Sequence, residues 1–149
     1  MVEFTTQEPI KGFSGPYRWL SNFFPATIDV YDLTFPTVEH AYVFMKGVPA
    51  EDVALIQFMK MTPGQIKRYG RTIELVPDWD RAKFKVMQDL VTLKFSDSNL
   101  GLKQLLDETG DCLIVEENTW NDTYWGMTPE GKGENNLGKI IMKIREDNR

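Results

Sequence analysis

The sequence is poor in the residues from which most metal and redox sites are built. It has one cysteine, Cys112, and one histidine, His40. A lone cysteine cannot close an internal disulfide or furnish a cysteine-rich metal site, and a lone histidine cannot form a histidine triad. Carboxylates alone can bind a cation, but no acidic spacing here asks for one. The expectation from these counts is no metal site. Long apolar runs are also missing: nothing approaches the ~20 residues that span a bilayer. Met1 to Lys11 carries acids and lacks the apolar core of a signal peptide, so cytoplasmic residence with no membrane partner is the simplest reading. Positive charge is in deficit. A net charge of −5 argues against a stable nucleic-acid partner, which needs a concentrated basic footprint, but leaves room for one local phosphate. Repeats, low-complexity tracts and dividing linkers are absent too. The 149 residues should form a single domain, 1–149, burying roughly two-thirds of the unfolded surface.

What the chain does have is concentrated in its last third. Asn118-Thr119-Trp120-Asn121-Asp122-Thr123-Tyr124-Trp125-Gly126 is followed by Gly131-Lys132-Gly133-Glu134-Asn135-Asn136-Leu137-Gly138-Lys139. A core element has no use for Asn-Asp beside Trp-Gly, and a plain linker has no use for the aromatics. Amides, an acid and aromatic rings on a glycine-rich loop suit a flat, phosphorylated ligand. The glycine-rich turn leads into an amphipathic run whose free N–H groups and dipole would favour an anion, with Lys132 adding charge. It is not a P-loop, because no Gly-Lys-Ser/Thr follows four free positions.

The remaining pattern reads as a compact, helix-rich α+β domain with a small β-sheet built from separated strands. Residues 13–24 should be irregular. Residues 26–35 alternate as a hairpin, although Tyr31-Asp32 is a weak two-residue turn that leaves the register open. Helices are expected over 36–46 and 50–59, the latter with Glu51 and Asp52 in its first turn. Thr62-Pro63-Gly64-Gln65 is a capping box opening another that ends at Gly70. The longest periodic run is 77–95. Ser98 can cap a further helix that stops at Gly110, 112–116 is a short strand, and 136–146 is a closing helix.

On the 36–46 helix, Glu39, Tyr42, Val43 and Lys46 fall close together at 3.6-residue spacing. An acid and an amine so placed could serve a site, or could be a solvated surface pair. His40 points about 100° away from Glu39 and reads as structural, with a hydrogen bond to a substrate hydroxyl as the alternative. Ser21-Asn22-Phe23-Phe24 is either an Asn-type turn before core aromatics or part of the site. Arg71, just past a helix stop, either grips a phosphate bidentately or neutralises helix carbonyls. Asp122 offers a second carboxylate and Trp125 a stacking plane.

Taken in order, these pieces resemble the YbiA-like family, also called the NADAR domain family. The matching residues are Ser21-Asn22-Phe23, then Phe35-Pro36-Thr37-Val38-Glu39-His40 with Lys46, then Gly70-Arg71, Trp79, Met87 and Lys94-Phe95. They continue through Glu116, Asn121-Asp122, Tyr124-Trp125-Gly126, Gly131-Lys132-Gly133 with Asn135, and Leu137-Gly138 with Met142 and Arg145. The resemblance spans about residues 12–146. No one piece is specific, but the ordered set is. It departs at Tyr31-Asp32, where Asp-Gly is frequent, and at Met61-Thr62-Pro63-Gly64, where a Ser/Ala-rich approach is usual.

The resemblance implies an N-glycosidase that cleaves a ribose C1–N bond, a hydrolysis that needs no redox or metal cofactor. Bacterial members hydrolyse phosphoribosylaminopyrimidine intermediates of riboflavin biosynthesis, releasing ribose 5-phosphate and the free base. Other members remove ADP-ribose from guanine bases, and a silent ADP-ribose-binding module is a third possibility. On this reading Glu39 is the carboxylate that faces the oxocarbenium-like C1, and Asp122 is its partner acid or water-orienting group. Trp125 stacks on the leaving base. Lys46, Arg71 and Lys132 are candidates for the phosphate, and Asn22 and Asn121 for ribose hydroxyls or the base edge. The partner is a small phosphorylated or ADP-ribosyl substrate, and the sequence leaves the oligomeric state open.

Overall fold

The computed structural model describes residues 8–47 and 52–149. The elements run β1 (Ile10–Lys11), a 3-10 helix (Gly15–Leu20), β2 (Ile28–Val30), β3 (Leu33–Phe35), α1 (Val38–Lys46) and α2 (Asp52–Lys60). They continue with α3 (Pro63–Gly70), α4 (Trp79–Lys94), a 3-10 turn (Asp97–Asn99), α5 (Leu100–Glu108), β4 (Ile114–Val115) and α6 (Asn136–Asp147). The fold is α+β and helix-rich. Its strands form two small ribbons: β2 and β3 pair antiparallel, and β1 pairs parallel with β4.

Helix α1 is the hub, packed against α3 and α4, while α6 lies against α4 and β4. Its buried Val38, Ala41, Val43 and Phe44 join Phe58, Ile66, Leu90, Ile140 and Ile141 in the core. Each large apolar side chain so buried contributes roughly 1.5–3 kcal/mol. The start of α1 is fixed twice over. Thr37 Oγ1 accepts the His40 backbone N–H at 3.0 Å and lies 2.7 Å from His40 Nδ1. His40 Nε2 lies 2.8 Å from the Met61 carbonyl, which can only accept. Nε2 therefore carries the proton, and Nδ1 accepts from the Thr37 hydroxyl. Burial pulls the pKa of His40 below its usual value, which keeps this neutral tautomer. His40 thus ties α1 to the chain entering α3, as a structural residue.

Helix α3 has the capping box its sequence calls for: Thr62 Oγ1 accepts from Gln65 N–H, and Gln65 Oε1 accepts from Thr62 N–H. The hairpin turn places Tyr31 and Asp32 at φ of 51° and 62°, the left-handed pair that a two-residue turn needs. Its register is set by the apolar face. Ile28 faces Phe35 across the ribbon, and both are fully buried, so a one-residue slip would expose them.

Other expectations shift. Ser96, rather than Ser98, caps the segment before α5, by accepting the Ser98 backbone N–H. Residues 13–24 contain a 3-10 helix. The strand expected over 112–116 shrinks to two residues and gains a partner with no sequence signal, β1, through Ile10 N–H to Leu113 O and Gly12 N–H to Val115 O. Glu51, expected in the first turn of α2, lies outside the described residues. No described helix is long and apolar enough to cross a membrane.

Candidate active site

One face of α1 opens into a cavity of ≈ 890 Å³. Glu39, Tyr42, Val43 and Lys46 all line it, as the 3.6-residue period requires. Helix α3 contributes Lys67, Arg68 and the adjoining Arg71, and α4 contributes Trp79, Asp80, Lys83 and Met87. The opposite wall is Glu116 and Glu117, beyond β4, and the loop residues Trp120, Asp122, Tyr124 and Trp125. Asn22 and Phe23 close the remaining side.

Glu39 sits in the first turn of α1, where the helix dipole favours a carboxylate. Its backbone N–H donates to Asn22 O at 3.1 Å, which joins the Ser21-Asn22 segment to the helix. Burial raises its pKa to about 6; Lys67, Lys46 and Arg71 oppose that rise, and Asp122 adds to it. Lys46 is shifted the other way, below the usual ammonium range, by burial, with Glu39 opposing. Burial also pushes the Tyr42 hydroxyl far upward. The cavity therefore holds an acid and an amine whose charges burial disfavours and each other's presence restores. The Asn22 Oδ1 atom is buried and has no hydrogen-bond partner among the described residues, an acceptor at the cavity edge that a ligand hydroxyl or N–H could satisfy.

The aromatic loop is held by its polar residues. Asn118, 2% exposed, accepts Asp122 N–H on Oδ1, and its Nδ2 donates to both Asp122 O and Glu116 Oε2. Asp122 Oδ1 accepts the backbone N–H groups of Tyr124 at 3.1 Å and Trp125 at 2.9 Å. That fixes Trp125, whose ring meets Tyr42 and Tyr124 edge-on and lies nearly parallel to Phe84. Gly126 follows because a Cβ there would collide with the Glu116 carboxylate and carbonyl. At the mouth, the Lys67 ammonium lies 5.8 Å from the Phe23 ring centroid and 5.2 Å from that of Trp120. Trp120 itself is 59% exposed.

Of the residues singled out in the sequence, Glu39, Asp122, Asn22, Lys46, Arg71 and Trp125 line this cavity, and Asn121 and Lys132 do not. Asn121 is an exposed turn residue at φ 64°; it shapes the loop without turning into the cavity. Lys132 is exposed, and its backbone closes a turn on Thr128. The anion site expected at the start of α6 is already filled. The N–H groups of Glu134, Asn135, Asn136 and Leu137 donate to the carbonyls of Thr123, Gly126, Tyr124 and Trp125. The glycine-rich turn thus clamps the aromatic loop. Asn135, at φ 52°, extends the clamp by bonding Glu116 N–H and Ile114 O.

Four further residues of the cavity carry chemistry: Lys67, Glu116, Trp120 and Lys83, the last 4.1 Å above the Tyr124 ring. Lys67 was legible, four residues before Arg71 on one helix face. Glu116 stood among the residues of the family resemblance without a role, because its place in the cavity depends on the parallel pairing of β4 with β1. Among the described residues no three His, Cys, Asp or Glu side chains gather as a metal site.

A carboxylate buried among cations, facing aromatic planes on a helix-rich α+β frame, is the equipment of a hydrolase for glycosyl bonds. The NADAR domain model matches residues 4–149. An N-glycosidase of Nostoc punctiforme is 38% identical over 89% of this chain and 86% of its own length. N-glycosidase YbiA of Escherichia coli is 33% identical over 97% of the chain and 92% of that protein. The solved E. coli YbiA structure superposes with a TM-score of 0.76 at 30% identity, covering 95% of this chain and 86% of that one. A chloroplastic riboflavin biosynthesis protein of Zea mays is 34% identical over 85% of the chain, which spans 23% of that longer protein. The chain belongs to the NADAR domain family, as an N-glycosidase.

Proposed function

We propose that the substrate is a phosphoribosylaminopyrimidine of riboflavin biosynthesis, cleaved at the ribose C1–N bond to ribose 5-phosphate and the free base. The observation that carries this reading is the grouping of Glu39, Lys46, Lys67 and Arg71 in one cavity that is walled on its far side by aromatic rings. Breaking a C1–N bond leaves positive charge on C1, and a nearby carboxylate stabilises it and can activate water. Glu39 has that role. Lys46 and Arg71, joined by Lys67, hold the 5-phosphate, Arg71 with its two-pronged guanidinium. Asn22 Oδ1 accepts from a ribose hydroxyl, and Trp125 with its aromatic neighbours supports the base. Asp122 braces the loop that carries Trp125. The riboflavin biosynthesis name of the maize relative supports the choice of base.

The test is release of reducing ribose from the phosphoribosylaminopyrimidine and, in parallel, from ADP-ribosylated guanosine. The parent should release ribose 5-phosphate from the first, and Glu39→Gln should lose roughly 10²–10⁴-fold in kcat. Turnover of ADP-ribosylated guanosine alone would move the protein to the ADP-ribosyl glycohydrolases. Tight ADP-ribose binding without turnover of either would make it a binding module. Full activity in Glu39→Gln would remove Glu39 from the chemistry.

A further inference from the structure

We propose that Glu116 is the general acid of this site, delivering a proton to the leaving nitrogen while Glu39 serves the sugar. The inference rests on the glycosidase reading above and assigns its second carboxyl group. Among the described residues five carboxyl groups line the cavity, those of Glu39, Asp80, Glu116, Glu117 and Asp122. Asp80 is exposed and pairs with Lys83, and the surroundings of Glu39, Asp122 and Glu116 set those three apart. Glu39 stands on α1 beside the cations that would hold the phosphate, so it belongs to the ribose side. Asp122 has Oδ1 committed to the N–H groups of Tyr124 and Trp125, which makes it a positioning residue. Glu116 lies on the aromatic side, its carboxyl group against Gly126, the residue after Trp125. A base resting on that wall brings its glycosidic nitrogen toward Glu116.

The holding of Glu116 is also that of an acid. Among the described residues the one hydrogen bond to its carboxyl group comes from a neutral amide, Asn118 Nδ2 to Oε2 at 3.1 Å, so the other oxygen can carry a proton. Burial, with Asp122 close by, raises its pKa to about 7, opposed by the Asn118 bond and by Lys67. The other charged groups of the cavity are Glu39 and Lys46 on α1, Arg68 and Arg71 of the α3 end, Asp80 and Lys83 on α4, and neighbouring Glu117. Lys46, Lys67 and Arg71 act on Glu39, whereas Lys67 is the one cation that acts on Glu116, and Lys83 is engaged with the Tyr124 ring. Burial raises both carboxyl groups, but three cations oppose the rise at Glu39 and one at Glu116. Of two such groups the one with fewer cations about it is the better placed to keep the proton.

The step balances. The C1–N bond breaks with its electron pair moving to nitrogen, which takes the Glu116 proton. Water adds to C1 through its oxygen and gives a proton to Glu39. Exchange through solvent returns that proton to Glu116.

The test compares two leaving groups in the full chain: the phosphoribosylaminopyrimidine, which needs a proton to depart, and ribose 5-phosphate 1-azide, which leaves as a stable anion. Glu116→Gln should lose roughly 10²–10⁴-fold in kcat on the first and less than about 10-fold on the azide, while Glu39→Gln fails on both. The parent's rate on the pyrimidine should fall above a pH of about 7, with no such limb for the azide. That profile carries the test should Glu116→Gln fold poorly. Parent-like rates in Glu116→Gln, equal losses on both substrates, or a matching alkaline limb on both would overturn the assignment. A parent inactive on the pyrimidine but active on ADP-ribosylated guanosine would refute the substrate while the same comparison proceeds on that nucleoside. Inactivity on all three removes both proposals.

Discussion

Lys94 has its side chain 1% exposed, with the ammonium donating to the Ser21 carbonyl at 2.7 Å and lying 5.2 Å from the Phe95 ring centroid. Burial drags its pKa down to about 7. The unfolded chain holds the proton up to the ordinary lysine range, so stability contributed by this group rises as pH climbs from 7 toward that range and is lowest below 7. A buried charge with one carbonyl partner is a poor source of stability, and an apolar replacement of similar length is often neutral or better. Lys94→Met should therefore melt at or above the parent's temperature, with the largest gain at pH 6 and little at pH 9. Parallel thermal melts at the two pH values measure it. The same variant should raise KM, because Ser21 adjoins Asn22, whose carbonyl accepts the N–H of Glu39. A melt lowered at pH 6 would show that the Ser21 bond outweighs the desolvation. The residue scale thus exposes a trade of stability for the position of the Ser21-Asn22 turn.

The loop between β4 and α6 acts as an element although it has almost no regular secondary structure. Its turns are closed by Asn118 and Asp122 side chains and its far end by the N–H groups that open α6. Asp122→Asn keeps an oxygen where the Tyr124 and Trp125 N–H groups point, and Asp122→Ala leaves them unpaired at roughly 1–3 kcal/mol. The asparagine variant should retain activity within about 10-fold of the parent, while the alanine variant loses stability and its KM rises. Equal loss of kcat in both, with unchanged melting, would return Asp122 to the role of partner acid. Local chemistry made much of the fold legible. Thr62-Gln65 announced the start of α3, and the spacing of Glu39, Tyr42, Val43 and Lys46 announced one cavity wall. The rest is tertiary. Two-residue strands have no periodicity to read, so neither the pairing of β1 with β4 nor the delivery of Glu116 could be seen. Lys132 and the α6 terminus looked like an anion site because the carbonyls that occupy those N–H groups come from the loop's own fold.

Across the whole molecule the net charge is −5, yet α1 and the α3 end bring Lys46, Lys67, Arg68 and Arg71 to the cavity with one acid, Glu39. The segment after β4 brings Glu116, Glu117 and Asp122, with Lys83 of α4 over its Tyr124 ring. The field is therefore polarised across the site. An anionic group entering from solvent is drawn to the α1–α3 wall, and a neutral base is left for the aromatic wall. Such focusing works against the overall repulsion of an acidic protein for a phosphate. It is screened by salt, since at 0.1 M the Debye length is about 10 Å. Raising NaCl from 0.05 to about 0.5 M should increase KM for the phosphoribosylaminopyrimidine several-fold, with little change in kcat. The dephosphorylated riboside, bound weakly through its base and ribose, should show almost no salt response. Arg71→Met should flatten the salt response of the phosphorylated substrate and bring its KM toward that of the riboside. Identical salt curves for the two substrates in the parent would mean that the cations serve Glu39 alone, and the phosphate would then have to be sought elsewhere on the cavity wall.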